Sequence, residues 1–322
     1  MRALQVNQFG DPSSLAVGEV EERAPGKGEV LLKVAGVGIG YFDGLLVKGE
    51  YQIKPPLPFV PGSSIAGVVE KVGEGVSHLS EGDHVAAFAM MGGLAEKLTL
   101  GAQSCFPLPK DIALADAANF FIAYATGLFG LRECGHLQAG ETVLVLGASG
   151  TTGSTAIEIA KAMDARVIAC ASTEEKRRLC EQAGADITVD YTDPDWRKQV
   201  KQVAGRGVNV VYDPVGGELS EQALRLLAPW GRHLVVGFVT GIASIPLNLP
   251  LLKRCSITGV NWGGEVMENP AIVPPVIEQL VQWAQQGKLR TRPDHVYSLE
   301  QAGEAFAALF ERRSSGKIVI TP

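Results

Sequence analysis

Residues 143–153 read V-L-V-L-G-A-S-G-T-T-G, an apolar run that leads directly into a glycine-rich turn. A short apolar run bounded by a turn is typical of a buried parallel strand, and the turn has the spacing A-x-G-x-x-G. Gly150 would let a diphosphate approach the backbone, and Gly153 would let the following helix pack tightly on the strand. Unpaired N–H groups and the dipole at the start of that helix favour an anion. The segment therefore predicts a strand, a phosphate-binding turn and a helix.

Apolar strands alternate with helices of about a dozen residues from residue 142 onward. The candidate strands are 142–147, 166–170, 187–189, 208–212, 232–237 and 256–260. Six strands with intervening helices predict a doubly wound parallel sheet of the Rossmann type, and the turn stands in the context that a dinucleotide site requires. We expect the cofactor to contact Gly147, Ser149, Gly150, Thr151, Thr152 and Gly153. Ala148 replaces the usual first glycine, which is tolerable if its φ is negative.

The first third of the chain reads as short strands separated by glycine and proline. The candidates are 3–6, 29–36, 64–72, 84–88 and 94–100, and they predict an irregular β-barrel or a partly open sheet. Beyond residue 262 we expect helices near 274–286 and 299–312 and a strand over 317–321. These are too few for a third domain, so they are expected to return to the first. A length of 322 residues suits two domains.

Composition excludes several classes of partner. A net charge of −6 leaves no basic field for nucleic acid or an anionic membrane. No export signal is evident at the amino terminus, and the most apolar stretch, 117–131, is interrupted by Asn119, Gly127 and Gly130. The five cysteines form no C-x-x-C pair and suit reduced thiols. A cytoplasmic location is expected.

The end of the second predicted strand favours NADP(H) over NAD(H). An NAD site usually carries an acid there for the ribose 2′-hydroxyl, and residues 167–173, V-I-A-C-A-S-T, contain none. Ser172 and Lys176 are candidates for a 2′-phosphate, with Arg177 directly downstream. The alternative interpretation is that 174–178 forms an exposed, charged helix start.

Several short motifs occur in a fixed order from end to end of the chain. They are K-P-P-L-P-F-V-P-G at 54–62, A-G-V-V at 66–69, G-D-H-V at 82–85, the turn at 147–153, D-P-V-G-G at 213–217 and G-K at 316–317. This set resembles the medium-chain dehydrogenase/reductase superfamily, and within it the zinc-independent, zeta-crystallin-like quinone oxidoreductase group. The resemblance implies a GroES-like domain (1–120 and 263–322) that encloses a Rossmann domain (121–262), with nicotinamide and acceptor in the cleft. It also implies a homodimer that pairs through strand 256–260.

The resemblance also concerns zinc. Zinc-dependent relatives place a cysteine ligand within the segment that corresponds to 38–43 and a Gly-His-Glu after the proline of 61–64. Gly40 and Ser63 stand at those positions, and neither is a good zinc ligand. The segment 85–105 lacks a four-cysteine lobe, so no metal is expected. A zinc alcohol dehydrogenase, which would carry stoichiometric metal, is therefore disfavoured. Without a Lewis acid the acceptor must already be electrophilic, such as a quinone or an enone.

By resemblance, further residues would contact the cofactor. Thr126 would face the nicotinamide, Tyr191 would lie beside the adenosine phosphate, and Gly237, Phe238 and Val239 would flank the nicotinamide ribose. Arg312, or failing it Arg313, would bind the 2′-phosphate. Each has a structural alternative: Tyr124 suits a core position, and the two arginines suit a solvated helix end.

The acceptor pocket departs from the pattern of the group. Many quinone reductases have Asn at the position of Gly40 and Tyr at that of Leu45, so a roomier and less polar pocket is expected. Tyr41 and Tyr51 are the nearby phenols, with Tyr41 a candidate proton donor, and Phe42 and Trp262 could form an apolar wall. The sequence thus predicts an NADPH-dependent reductase of a quinone or enone. An NADPH-binding protein with a structural, regulatory or RNA-associated role remains the alternative.

Overall fold

A computed structural model describes residues 1–311 and 313–322, and the chain divides into two compact units. The first unit comprises Met1–Ile122 and Thr291–Pro322, and the second comprises Ala123–Arg290.

Short strands build the amino-terminal part of the first unit: β1 (Arg2–Leu4), β2 (Val17–Glu19), β3 (Glu29–Gly38), β4 (Ser64–Val72), β5 (His84–Phe88), β6 (Lys97–Gly101) and β7 (Cys105–Leu108). Strand β3 pairs antiparallel with β4 and β6, and β5 pairs antiparallel with β4 and β7. Two register shifts along the β3–β4 pair bend the sheet, as β-bulges do. The inner side chains form one apolar core that includes Leu32, Val37 and Ile65.

Six strands form the sheet of the second unit: β8 (Thr142–Val145), β9 (Arg166–Cys170), β10 (Ile187–Val189), β11 (Val208–Asp213), β12 (Leu227–Val235) and β13 (Ser256–Gly259). All neighbours are parallel, in the order β10-β9-β8-β11-β12-β13. This is the 3-2-1-4-5-6 order of a doubly wound dinucleotide fold, which reverses between β8 and β11. The predicted α/β class with a Rossmann sheet is confirmed.

Helices lie between and beside these strands. They are α1 (Tyr41–Lys48), α2 (Leu114–Ala117), α3 (Ala125–Leu128), α4 (Thr151–Ala162), α5 (Glu174–Gln182), α6 (Trp196–Ala204), α7 (Gly217–Leu224), α8 (Asn248–Lys253), α9 (Trp262–Glu268), α10 (Val273–Gln285) and α11 (Ala302–Phe310). Short 3₁₀ turns occupy Pro12–Ser14, Ala102–Ser104, Pro270–Ile272 and Leu299–Gln301.

Wide π-helical turns at Phe120–Tyr124 and Phe129–Cys134 flank α3, so the helical stretch Leu114–Cys134 runs for 21 residues. It is long and apolar enough to cross a membrane, but 72% of its most apolar window is buried inside the structure. It therefore has the character of a core helix. The glycines that seemed to interrupt it are packing positions: a Cβ on Gly130 would lie 3.3 Å from the Tyr212 ring.

The last segment returns to the first unit, as predicted. Strand β15 (Ile318–Thr321) pairs antiparallel with β3, and β14 (His295–Ser298) pairs parallel with β15. The return begins at Thr291, however, and not near residue 263. Helix α10 stays with the second unit because it contacts α3 and buries Val276, Ile277 and Leu280.

Candidate functional site

The predicted phosphate-binding turn joins β8 to α4 at the carboxyl edge of the parallel sheet. Gly147 adopts the left-handed conformation, with φ of 54°, and its carbonyl accepts a 3.1 Å hydrogen bond from the Gly150 amide. Gly150 is the N-cap of α4, with φ of −77° and ψ of 169°, and provides no side chain to cap the helix. The first turn of a helix directs its N–H groups outward. The turn therefore presents a helix amino terminus at the edge where a dinucleotide binds in this fold.

The glycines of this turn have different spatial roles. A Cβ on Gly153 would lie 2.4 Å from the Gly147 oxygen and 2.7 Å from Ala148 Cα, so only glycine allows this approach of helix and turn. A Cβ on Gly150 would have a single neighbour, the Gly147 oxygen at 3.5 Å. Ala148 is buried and does not adopt a positive φ, so an alanine is tolerated at the position of the usual first glycine. The side of Gly150 that a Cβ would occupy is therefore open, and it leaves room for a diphosphate.

Loops that follow β11 and β12 meet at the same edge. The Thr240 amide donates to the Val215 oxygen at 2.8 Å, and the Gly217 amide donates to the Gly241 oxygen at 2.8 Å. The predicted ribose-flanking residues Gly237, Phe238 and Val239 lie in the second of these loops, and the Phe238 side chain is 53% exposed. This loop follows β12, which is the second strand from β8 in the sheet. It therefore lies beside the point between β8 and β11 where the strand order reverses.

A buried carboxylate holds the loop after β11. Asp213 is 1% exposed and accepts hydrogen bonds from the amides of Val215 and Gly216, both at 2.9 Å. Its other oxygen accepts from the Ser220 hydroxyl and lies 2.9 Å from His233 Nε2. Burial raises the pKa of this carboxyl, but the hydrogen bonds outweigh burial and hold the pKa below its usual value. The D-P-V-G-G motif therefore shapes the carboxyl edge of the sheet, a role that the sequence did not reveal.

The second-strand corner places the predicted 2′-phosphate residues at the start of α5. Thr173 caps this helix by accepting a 3.2 Å hydrogen bond from the Lys176 amide, so Lys176 stands in its first turn. Ser172 is half-buried just before the cap. Arg177 instead forms a 2.8 Å ion pair with Asp190, so its guanidinium has a structural partner.

The remaining cofactor candidates are more scattered. Tyr191 is half-buried and packs on the apolar core of the second unit, directly after Asp190. Arg312 lies outside the described residues. Arg313 belongs to the first unit and pairs with Glu311. Thr126 is half-buried within residues 123–131, where every other residue is buried. It is therefore the residue of this stretch that offers a partly accessible side chain.

The two positions that carry metal ligands in the zinc-dependent relatives are joined by a carboxylate. The Gly40 amide donates to Asp43 at 2.9 Å, and the Ser63 hydroxyl donates to the other Asp43 oxygen at 3.0 Å. Asp43 is 1% exposed, and burial raises its pKa to about 6, against these hydrogen bonds, which lower it. The sequence reasoning missed Asp43, although an acid at the third position of α1 is a helix-start signal.

Of the acceptor candidates, the phenols of the first unit pack in two aromatic pairs. The Tyr41 ring lies 4.8 Å from Phe310, and the Tyr51 ring lies 4.6 Å from Phe42 in an edge-on arrangement. Trp262 is 3% exposed in the second unit, where its ring lies 5.6 Å from Phe129. Trp262 is therefore largely buried, and its place in an apolar wall with Phe42 stays a prediction.

Comparisons with known proteins agree with both units. A family model described as an alcohol dehydrogenase GroES-like domain matches residues 26–110, and one described as a zinc-binding dehydrogenase matches residues 151–283. Quinone oxidoreductase-like protein 2 of Mus musculus is 37% identical over 310 residues, which cover 95% of this chain and 89% of that protein.

Two solved structures are similar over their whole length. A probable oxidoreductase from Mycobacterium abscessus has a TM-score of 0.91 and 34% identity, covering 100% of this chain and 99% of that one. The quinone oxidoreductase of Escherichia coli, solved in complex with NADPH, has a TM-score of 0.91 and 26% identity, covering 100% of both chains.

Proposed function

Because the chain belongs to the quinone oxidoreductase group of the medium-chain dehydrogenase/reductase superfamily, we propose that it is an NADPH-dependent reductase of quinones or α,β-unsaturated carbonyl compounds that works without zinc. The observation that carries the proposal is the open space beside the Cα of Gly150, at the amino terminus of α4. The NADPH complex of the similar Escherichia coli enzyme supports the choice of cofactor.

In this proposal the chain's own residues hold and orient the reactants. The turn at Gly147–Gly153 binds the diphosphate, and Ser172 and Lys176 bind the 2′-phosphate with charge-assisted hydrogen bonds. Thr126 and the loop of Gly237–Val239 hold the nicotinamide end. NADPH, when bound, supplies the hydride. Tyr41 and Tyr51 belong to the acceptor side, where the Tyr41 hydroxyl can donate the proton that completes the reduction.

The proposal of zinc independence rests on Gly40 and Ser63. The Ser63 hydroxyl and the Gly40 amide both donate to Asp43, so the atoms at these positions are committed to a carboxylate. An acceptor whose carbon is already electrophilic needs orientation more than a Lewis acid, and orientation can supply a large part of the rate.

Steady-state oxidation of NADPH and NADH with a panel of quinones and enones tests this function. We expect turnover with at least one class, and a kcat/KM for NADPH about 10- to 100-fold above that for NADH, the effect of one or two charge-assisted contacts. Lys176→Ala should remove most of this preference, whereas Lys198→Ala, an exposed lysine on α6, should not. Tight NADPH binding without turnover on any acceptor would instead favour a non-catalytic role.

We also propose that the protein is a homodimer paired through β13. This strand ends the sheet of the second unit and pairs with β12 on one side. Exposed apolar side chains lie on it, on its neighbour β12 and on the segment that precedes it in the chain: Trp230, Leu247, Leu251, Leu252 and Ile257. An open strand edge with an apolar margin is a pairing site, and a second copy related by a two-fold axis would cover the same patch on both chains.

Ile257→Lys should convert the dimer to a monomer, because it places two like charges near the two-fold axis. Light scattering after size exclusion measures the mass. Val296→Lys is the matched control, since Val296 is 56% exposed on β14, the edge strand of the other sheet. A parent chain that runs as a monomer, or an Ile257→Lys variant that stays dimeric, would rule out this pairing.

A further inference from the structure

A buried carboxylate on the predicted dinucleotide-binding helix binds two distant parts of the chain. Glu158 lies on α4 and is 2% exposed. One of its oxygens accepts hydrogen bonds from the Tyr124 hydroxyl and from the Arg290 amide, both at 2.7 Å. The Tyr124 hydroxyl also lies 3.2 Å from the Arg290 carbonyl oxygen. Both hydrogen bonds therefore meet at one oxygen of Glu158 and link Tyr124 to Arg290.

The same face of α4 is bonded to the neighbouring helical stretch at other points. The Thr155 hydroxyl, one turn before Glu158, donates to the Ala123 oxygen at 3.2 Å. Gly127 lies against the same helix, since a Cβ there would be 3.5 Å from Ile159. Contacts at Ala123, Tyr124 and Gly127 thus bracket Thr126, and they fix this residue relative to α4.

Packing alone does not explain a carboxyl group at position 158. A buried carboxyl group must lose its hydration, and apolar side chains of similar volume commonly stabilise such a place as well or better. The neighbours of Glu158 on α4 are Ile157 and Ile159, both fully buried, so an apolar residue would suit the helix. The stretch that Glu158 holds contains a π-helical turn, Phe120–Tyr124, a geometry that often marks functional positions.

We propose that Glu158 is a positioning residue for the nicotinamide, acting through the Tyr124 hydroxyl. The diphosphate turn lies at the amino end of α4, about 10 Å along the helix from Glu158, and Thr126 follows Tyr124 by two residues. The hydrogen bond therefore sets the separation between the group that binds the diphosphate and the side chain that faces the nicotinamide. This inference rests on the NADPH site of the proposed function, that is, on the diphosphate turn and on the place given to Thr126, but not on the identity of the acceptor.

The test uses Tyr124→Phe, which removes one hydroxyl, in the full-length protein. The Kd for NADPH should stay within about twofold, because the diphosphate contacts are untouched. The fluorescence lifetime of the bound reduced nicotinamide should shorten toward that of free NADPH, because the ring is held less rigidly. With an acceptor present, kcat should fall about 10-fold, since misplacement by about 1 Å can cost 100-fold. Tyr297→Phe, on β14, is the matched control and should leave every value unchanged.

Two changes at Glu158 separate positioning from stability. Glu158→Gln keeps an oxygen that can accept from both donors. The fluorescence lifetime of bound NADPH and the kcat of this variant should therefore stay within about threefold of the parent values. Glu158→Leu fills the space without an acceptor and should behave like Tyr124→Phe. If Glu158→Leu does not fold, Tyr124→Phe decides alone.

The lifetime measurement needs no acceptor, so it stands even if the parent chain reduces nothing and the proposed function fails. An unchanged lifetime in Tyr124→Phe overturns the inference. So does a loss of kcat that merely follows a loss of NADPH binding or of folded protein.

Discussion

Replacing Gly150 with valine is expected to weaken NADPH binding about 100-fold, or about 2.7 kcal/mol, while the free energy of unfolding stays within about 0.5 kcal/mol of the parent. The backbone at Gly150 is extended, with φ of −77° and ψ of 169°, so a branched residue fits without strain. The Cβ of the new side chain would have one neighbour within 4 Å, the Gly147 oxygen at 3.5 Å. It would instead occupy the space over the helix amino terminus that the diphosphate needs. Calorimetric titration with NADPH measures the affinity, and urea unfolding measures the stability.

Gly153→Val is the matched control, because the same substitution three residues later should have the opposite profile. Its Cβ would collide with the Gly147 oxygen and Ala148 Cα, which are backbone atoms that cannot move aside cheaply. We expect a loss of about 3 kcal/mol in the free energy of unfolding. Equal losses of stability in the two variants, or normal NADPH binding by Gly150→Val, would contradict the assignment of this turn.

Asp213→Ala should destabilise the second unit by about 3–5 kcal/mol, because it leaves the partners of a buried carboxylate without an acceptor. Those partners are two backbone amides, the Ser220 hydroxyl and the His233 ring. Asp213→Asn keeps one oxygen for the amides and should lose less. Urea unfolding followed by circular dichroism measures both. If Asp213→Ala lowered the free energy of unfolding by less than about 1 kcal/mol, the loop after β11 would keep its conformation without this carboxylate.

The pH dependence of this stabilisation follows from the lowered pKa of Asp213. A carboxyl that is more acidic in the folded than in the unfolded chain contributes fully above its unfolded pKa, and loses that contribution as pH falls through the folded value. The difference in stability between the parent and Asp213→Asn should therefore be constant at neutral pH and shrink below about pH 4. A difference that grows on acidification would reverse the sign of the assigned shift.

The doubly wound sheet could be predicted because its signals are local. Each of the six strands predicted between residues 142 and 260 is present, and each is followed by a helix or a turn at the expected spacing. Strand β12 begins at Leu227 and not at residue 232, since Leu227 pairs with Val208 across a register shift. The sequence placed the start too late because Pro229 and Gly231 resemble a turn. Strands β2 and β7 were missed for a related reason: they are three and four residues long, and β7 contains Pro107.

The phosphate turn was predictable for the same reason, whereas the buried acids were not. The partners of Asp43 and Glu158 include Ser63 and Arg290, which lie 20 and 132 residues away in sequence. No pattern in a single sequence brings such residues together. One signal was present, however: Glu158 stands within A-I-E-I-A, at 156–160, and an acid inside an apolar helical run indicates a buried polar contact.

The first unit is discontinuous in sequence, and this has a consequence for biosynthesis. During translation the whole of Ala123–Arg290 leaves the ribosome before Ile318, Val319 and Ile320, which are fully buried next to β3. The second unit can thus complete its sheet while the sheet of the first unit still lacks β15. A nascent chain halted after residue 290 would carry a folded nucleotide-binding half behind an unfinished amino-terminal half with an uncovered apolar edge, the form that a chaperone would encounter.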